Sequence, residues 1–285
     1  MIINNLLLAV LAIIAAPILG GLLTGIDRRI TARMQSRFGP PILQPFYDFF
    51  KLIGKQSIAV NQTQMVYVLG HLLFAVAALV MLVLQLDLLM LIFVLAFSAV
   101  SLIMGAMSVR SPYSKIGAQR EIMQMMAYEP VLLLMVVGVY KTTGSFMISG
   151  IFEHGTPLLF SLPLVFLSFL YVLTIKLRKS PFDFATSHHG HQELIKGLTI
   201  EFSGVQLAII ELTHWFDLVL LLGLITLFFA QPIWVGIIIA LISFFFEIVL
   251  DNISARVTWQ WMVKVTWVVG IGAALVNIVW MYLIP

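Results

Sequence analysis

The sequence predicts an all-α integral membrane protein of eight transmembrane helices with one amphipathic helix lying in the cytoplasmic interface. Three observations carry this: 61% of the 285 residues are hydrophobic, only 10% are charged, and several apolar runs exceed 18 residues. The absence of cysteine excludes disulfides and thiolate-ligated zinc or iron–sulfur centres within the chain, so any such redox centre belongs to a partner. Residues 1–285 are expected to form a single polytopic domain, with cytoplasmic loops over 27–64 and 178–198.

The eight spans are expected near 3–24, 66–86, 88–107, 116–140, 157–177, 199–229, 233–250 and 262–283. The first has no basic residue ahead of it and is longer than a signal-peptide core, so it is read as a retained helix. The second and third meet around Asp87; together they are too long for one crossing. Lys and Arg test the topology. One set of loops holds 15 of the 16 basic residues and the other holds Lys141 alone. The basic loops are therefore placed in the cytoplasm, and both termini outside.

Arg29, Arg33 and Arg37 recur at four-residue spacing, a basic stripe if the segment is helical, before Gly39, Pro40 and Pro41 end it. After Pro45, Phe46, Phe49, Phe50 and Ile53 fall at i, i+3, i+4 and i+7, with Asp48, Lys51 and Lys55 away from them. This segment either rests on lipid headgroups or forms a docking platform for a soluble partner, with Arg29, Arg33, Arg37, Phe46 and Asp48 as its candidate residues.

Acids within the spans are costly in lipid and mark ion or proton paths. Glu129 sits deep in the fourth span beside the helix-breaking Pro130, whereas Glu121 is read as a surface acid that pairs with Arg120 or another loop. In the sixth span Glu211 and His214 are at i and i+3, with Glu201 at the cytoplasmic mouth and Asp183 and Glu193 before it. Glu247 and Asp251, at i and i+4 near the end of the seventh span, are placed to hold one proton between them, with Arg256 as a cationic partner for Asp251. His71 is placed near the cytoplasmic end of its span and His214 near the middle of its own, which argues against a ligand shared by the two. His188, His189 and His191 admit a metal, solvated-loop or proton-entry reading. No phosphate loop, nucleophile elbow or metal-binding cysteine pattern occurs, which leaves ion transfer and docking as the chemistry available. No nucleic-acid role is expected.

Four ordered stretches carry a family resemblance: ARMQSRFGPPILQPFYDFFKL from Ala32, YSKIGAQREIMQMMAYE from Tyr113, Pro181–Asp183, and ELIKGLTIEFSG from Glu193. Together they resemble the quinone-proximal membrane subunit of respiratory complex I. Phe184–Gln192 reads FATSHHGHQ where the quinone-linked form has an acidic run, and that version is similar to the counterpart subunit of energy-converting nickel–iron hydrogenases. The resemblance implies a membrane anchor and ion-coupling subunit of a ferredoxin-dependent, hydrogen-evolving complex, itself without a redox centre. The nickel–iron centre and [4Fe-4S] clusters would sit on the small and large hydrogenase subunits, beside an antiporter-like membrane subunit. It also implies that Glu129, Asp183, Glu193 and Glu201 line a lateral acidic channel, with Glu211 and His214 at its inner end. The alternatives are a quinone-binding subunit of a complex-I-like dehydrogenase and the equivalent subunit of a nickel-free sulfur-reducing relative.

Overall fold

The computed structural model describes residues 2–56, 61–182 and 197–283. All regular structure there is helical: α1 Ile2–Met34, α2 Gln44–Ile53, α3 Thr63–Val83, α4 Leu88–Met107, α5 Pro112–Thr143, α6 Ile148–Glu153, α7 Leu158–Ser161, α8 Pro163–Lys176, α9 Val205–Leu227, α10 Ile233–Ile253, α11 Trp259–Val265 and α12 Gly272–Leu283. Seven helical segments are long and apolar enough to cross a membrane, α11 and α12 forming one of them through a π-helical turn, Thr266–Ile271. The shorter apolar α8 completes the eight. Helices close their own backbone hydrogen bonds, which is why an apolar chain adopts them in lipid.

α9 is the most buried of the long spans and packs against α1, α2, α3 and α10. Outward-facing positions are apolar as well: Leu6, Leu7, Leu11 and Ile14 on α1, and Ile238, Leu241, Ile242 and Phe245 on α10, are all exposed. Such a surface suits lipid or other membrane subunits.

The helix boundaries have identifiable physical causes, and several of them depart from the sequence reading. α3 and α4 are separate helices because Gln85 turns the chain at φ 56° and the Asp87 carboxylate caps α4, accepting from Met90 N at 2.9 Å. The fifth span is broken at Leu162, where Asn277 of α12 bridges the gap: its Oδ1 accepts from Leu164 N at 2.8 Å and its Nδ2 donates to Ser161 O at 3.0 Å. Ser168 Oγ of α8 donates to Gly270 O at 2.9 Å, satisfying a carbonyl in the π turn. The sixth span does not begin at Thr199. A 3-10 turn, Gly197–Thr199, is followed by Gly204 at φ 53°, and the α-helix starts only at Val205. The predicted span 199–229 is thereby shortened to a 23-residue helix.

α1 runs ten residues past its expected end, to Met34, where Ser36 at φ 56° turns the chain. Arg29 and Arg33 therefore lie on α1, while Arg37 lies beyond it and its Nε donates to Gln35 Oε1 at 2.9 Å; the three do not form one helical stripe. α2 also differs from a simple lipid-facing stripe. Phe46 and Phe49 turn inward onto Trp215 of α9, with ring centroids 5.1 and 5.5 Å away, whereas Tyr47 and Phe50 are exposed. This close seat requires glycine on α1: a Cβ at Gly25 would stand 1.9 Å from Ile42 O, and one at Gly21 would stand 2.5 Å from the Phe46 ring.

Candidate functional site

A cavity of about 600 Å³ opens within the helix bundle and is lined from α1, α3, α5, α9, α10 and the segment after α8. Its polar wall concentrates the charges that the basic loops and helix ends deliver. Arg178, at φ 53° just past α8, reaches across the cavity: Nη2 donates to Glu121 Oε1 of α5 at 3.0 Å, and Nη1 lies 3.2 Å from His214 Nε2 of α9. Guanidinium is a donor only, so His214 offers its lone pair there. Glu121 is buried at 6% exposure rather than a surface acid, and its partner comes from another loop.

Lys179 makes a second junction. It donates to Asp27 of α1 and stands 3.6 Å from Asp251 of α10, whose Oδ1 also accepts from Ser180 N at 2.8 Å. Asp251 thus has Lys179 as a cationic partner, which the sequence reading did not offer. One turn earlier, Glu247 is fully buried, and neither of its carboxylate oxygens has a hydrogen-bond partner among the described residues. Lys176, at the end of α8, places its ammonium 4.8 Å from the Tyr128 ring centroid, next in sequence to the predicted Glu129. Burying a carboxylate without a partner, as at Glu247, costs about 1 to 3 kcal/mol or more.

Glu211, His214 and Asp251 line the cavity, as does Arg37; Glu129, Glu201 and Glu247 do not. Asp183, Glu193 and the histidines His188, His189 and His191 lie outside the described residues. The sequence reading gave no site role to Asp27, Lys176, Arg178, Lys179 and Asp217, and it set His71 aside on depth. The basic ones were counted only as loop charges, and Asp217 went unremarked although its i+3 spacing from His214 puts both on one face of α9.

His71 and His214 are at matching depth, contrary to expectation. Their ring centroids are 6.3 Å apart. The late start of α9 explains it: His71 is eight residues into α3 and His214 nine into α9, about 12 and 13.5 Å along at 1.5 Å per residue.

Of the docking residues, Phe46 is committed to Trp215, and Asp48 ties α2 to α1, accepting from Arg28 Nη1 at 2.8 Å and Gln44 Nε2 at 2.9 Å. Partial burial pushes the Asp48 pKa up, but the Arg28 and Gln44 hydrogen bonds and the charges of Arg28 and Lys51 outweigh it and hold the carboxyl below 3.8. Arg33 lies over the Phe38 ring, 5.7 Å from its centroid, and Phe38 is 91% exposed.

Residues 6–282 match the NADH dehydrogenase family. Among relatives, the H subunit of NADH-quinone oxidoreductase from Thermomicrobium roseum is 29% identical over 90% of this chain and 88% of its own length. Formate hydrogenlyase subunit 4 of Escherichia coli is 33% identical over 64% of each chain. Among solved structures, a chain of the archaeal membrane-bound sulfane sulfur reductase superposes with TM-score 0.87, covering 98% of this chain and 99% of that one at 24% identity, which establishes a shared fold.

Proposed function

The chain belongs to the NADH dehydrogenase family, as a multi-pass membrane protein related to the quinone-proximal membrane subunit of complex I, and from that premise we propose that it couples a peripheral redox arm to ion movement. The carrying observation is the pair of charge junctions inside the spans: Glu121–Arg178–His214, and Asp27–Lys179–Asp251 beside the unpartnered Glu247. Each junction joins helices from opposite walls of one cavity through a cation carried on the segment after α8. Movement of that segment changes which carboxylate each cation neutralises, and a carboxylate that loses its cation in a low-dielectric site binds a proton or another cation. The basic face, with α2 and the segment after α8, receives the peripheral arm on the cytoplasmic side, and both termini face outward.

The complex is proposed to be a ferredoxin-dependent, hydrogen-evolving nickel–iron hydrogenase. Its metal centres lie on the small and large subunits, an antiporter-like subunit lies alongside, and this chain carries no redox centre. Similarity to formate hydrogenlyase subunit 4 and the FATSHHGHQ segment support this choice. A quinone-linked complex is the second reading, favoured by the NADH-quinone oxidoreductase relatives and by a cavity of ligand size. A nickel-free sulfur-reducing complex is the third reading, for which the fold shared with a chain of the archaeal sulfane sulfur reductase gives support. Metal analysis of the complex that co-purifies in mild detergent separates the first reading from the other two. Nickel near one per complex with many irons is expected; iron without nickel overturns the hydrogenase assignment.

A further inference from the structure

We propose that His71, His214 and Asp217 form a binding site for one divalent transition-metal ion such as Zn²⁺, set between α3 and α9 and open to the cavity. One ligand atom from each residue lies within 4.8 Å of the other two. Zinc–nitrogen and zinc–oxygen bonds of about 2.0 to 2.2 Å need tetrahedral donors roughly 3.3 Å apart, so side-chain movements of about 1 Å close the site. Two imidazoles and one carboxylate are the donor set of borderline metals, not of Na⁺ or Mg²⁺. The three protein ligands leave a fourth position toward the cavity, which also provides the path of entry.

The setting of His71 is an independent observation. Its Nδ1 stands 3.0 Å from Ser98 O and 2.8 Å from Ser98 Oγ, while Ser98 Oγ donates to His71 O at 2.9 Å. With that hydroxyl proton engaged, Nδ1 is the donor, to the carbonyl and the hydroxyl oxygen. The other nitrogen, Nε2, therefore carries a bare lone pair. It is buried, His71 being 2% exposed, and it has no hydrogen-bond partner among the described residues; Asp217 Oδ1 has none either. An imidazole whose N–H is held by a carbonyl and whose opposite lone pair is unanswered is oriented as metal-bound imidazoles are. Glu121 answers Arg178, and Asp217, which also faces the charge of Lys176, is the carboxylate within reach of the two imidazoles. The one lone pair of neutral His214 is the one Arg178 Nη1 holds, so His214 ligates the ion only as Arg178 lets go, and ion binding and the position of Arg178 are linked. The site stands whether or not the complex is a hydrogenase.

The test uses the chelator-treated complex in mild detergent, titrated with Zn²⁺ and with Co²⁺ as an optical probe, and the Zn K-edge absorption of the loaded complex. The wild type is expected to bind one equivalent with two imidazoles in the zinc shell. A variant with His188, His189 and His191 all changed to Ala keeps that equivalent, whereas His71→Ala and Asp217→Asn weaken it by about 100-fold or more. Arg178→Gln tightens it by about 10-fold. Retention of full affinity in His71→Ala and Asp217→Asn, or loss confined to the loop-histidine variant, overturns the proposal. So does a wild-type zinc shell with fewer than two imidazoles, an outcome independent of how any variant folds. A site that holds only a shared proton gives no stoichiometric metal at all, and that result also overturns it.

Discussion

Arg178 and Glu121 meet at 3.0 Å inside the bundle, and their side chains are only 12% and 7% exposed. Removing one partner of such a pair strands a charge and costs about 3 to 5 kcal/mol, whereas replacing both with apolar groups is often neutral. Arg178→Met is therefore expected to lower the thermal stability of the complex in detergent, and the double change Arg178→Met with Glu121→Leu to restore most of it. Ion transport stays lost in both, because the cation is gone. A double variant no more stable than the single would show that the pair is not what holds α5 to the segment after α8.

At Gly25 an added Cβ meets backbone, 1.9 Å from Ile42 O, while at Gly272 it meets nothing within 4 Å. Gly25→Ala is expected to unseat α2 from α1 and expose it to proteolysis. Gly272→Ala, where the π turn runs into the first residue of α12, is expected to be neutral or to stabilise by about 0.5 to 1 kcal/mol. Limited proteolysis of the two variants side by side makes the comparison.

Asp48 provides a pH dependence with a definite sign. Its folded pKa is lower than its ordinary value of 3.8, so the stabilisation it contributes is present above that value and is lost as pH falls through the lower folded value. Loosening of α2 is thus expected only below pH 3.8, and it is modest because the pair is half-exposed and Phe46 and Phe49 stay on Trp215. Asp48→Asn should loosen it to a similar extent at neutral pH and remove the acid step. An acid step that survives in Asp48→Asn would assign it to another group.

Asn277 holds the broken fifth span at the face away from the charge junctions, satisfying Leu164 N and Val165 N at 2.8 and 3.3 Å. Asn277→Ala is expected to cost about 1 to 2 kcal/mol, as loss of a helix cap does. Ions moved per electron should stay at the wild-type value. A changed ion stoichiometry would extend the working region to that face.

The all-helical membrane architecture was legible because hydropathy runs and charge bias are properties of single segments. What was not legible depended on where helices begin and which segments meet. Gly204 delays α9 by six residues relative to Thr199, and that shift brings His214 level with His71. Lys179 and Arg178 read as generic loop cations because only the fold shows the carboxylates waiting for them: Asp27, more than 150 positions away in sequence, and Glu121. Phe46 read as outward-facing because periodicity identifies a face of a helix without saying what covers it. Here Trp215 does.

The central claim is that cations on the segment after α8 couple redox turnover to ion movement, and Lys179, between Asp27 and Asp251, tests it most directly. The measurement is ion uptake per electron in proteoliposomes carrying the complex with Lys179→Met, its metal centres verified by elemental analysis. The expected result is uptake at background with the metal content of wild type. Wild-type uptake per electron in that variant would contradict the claim.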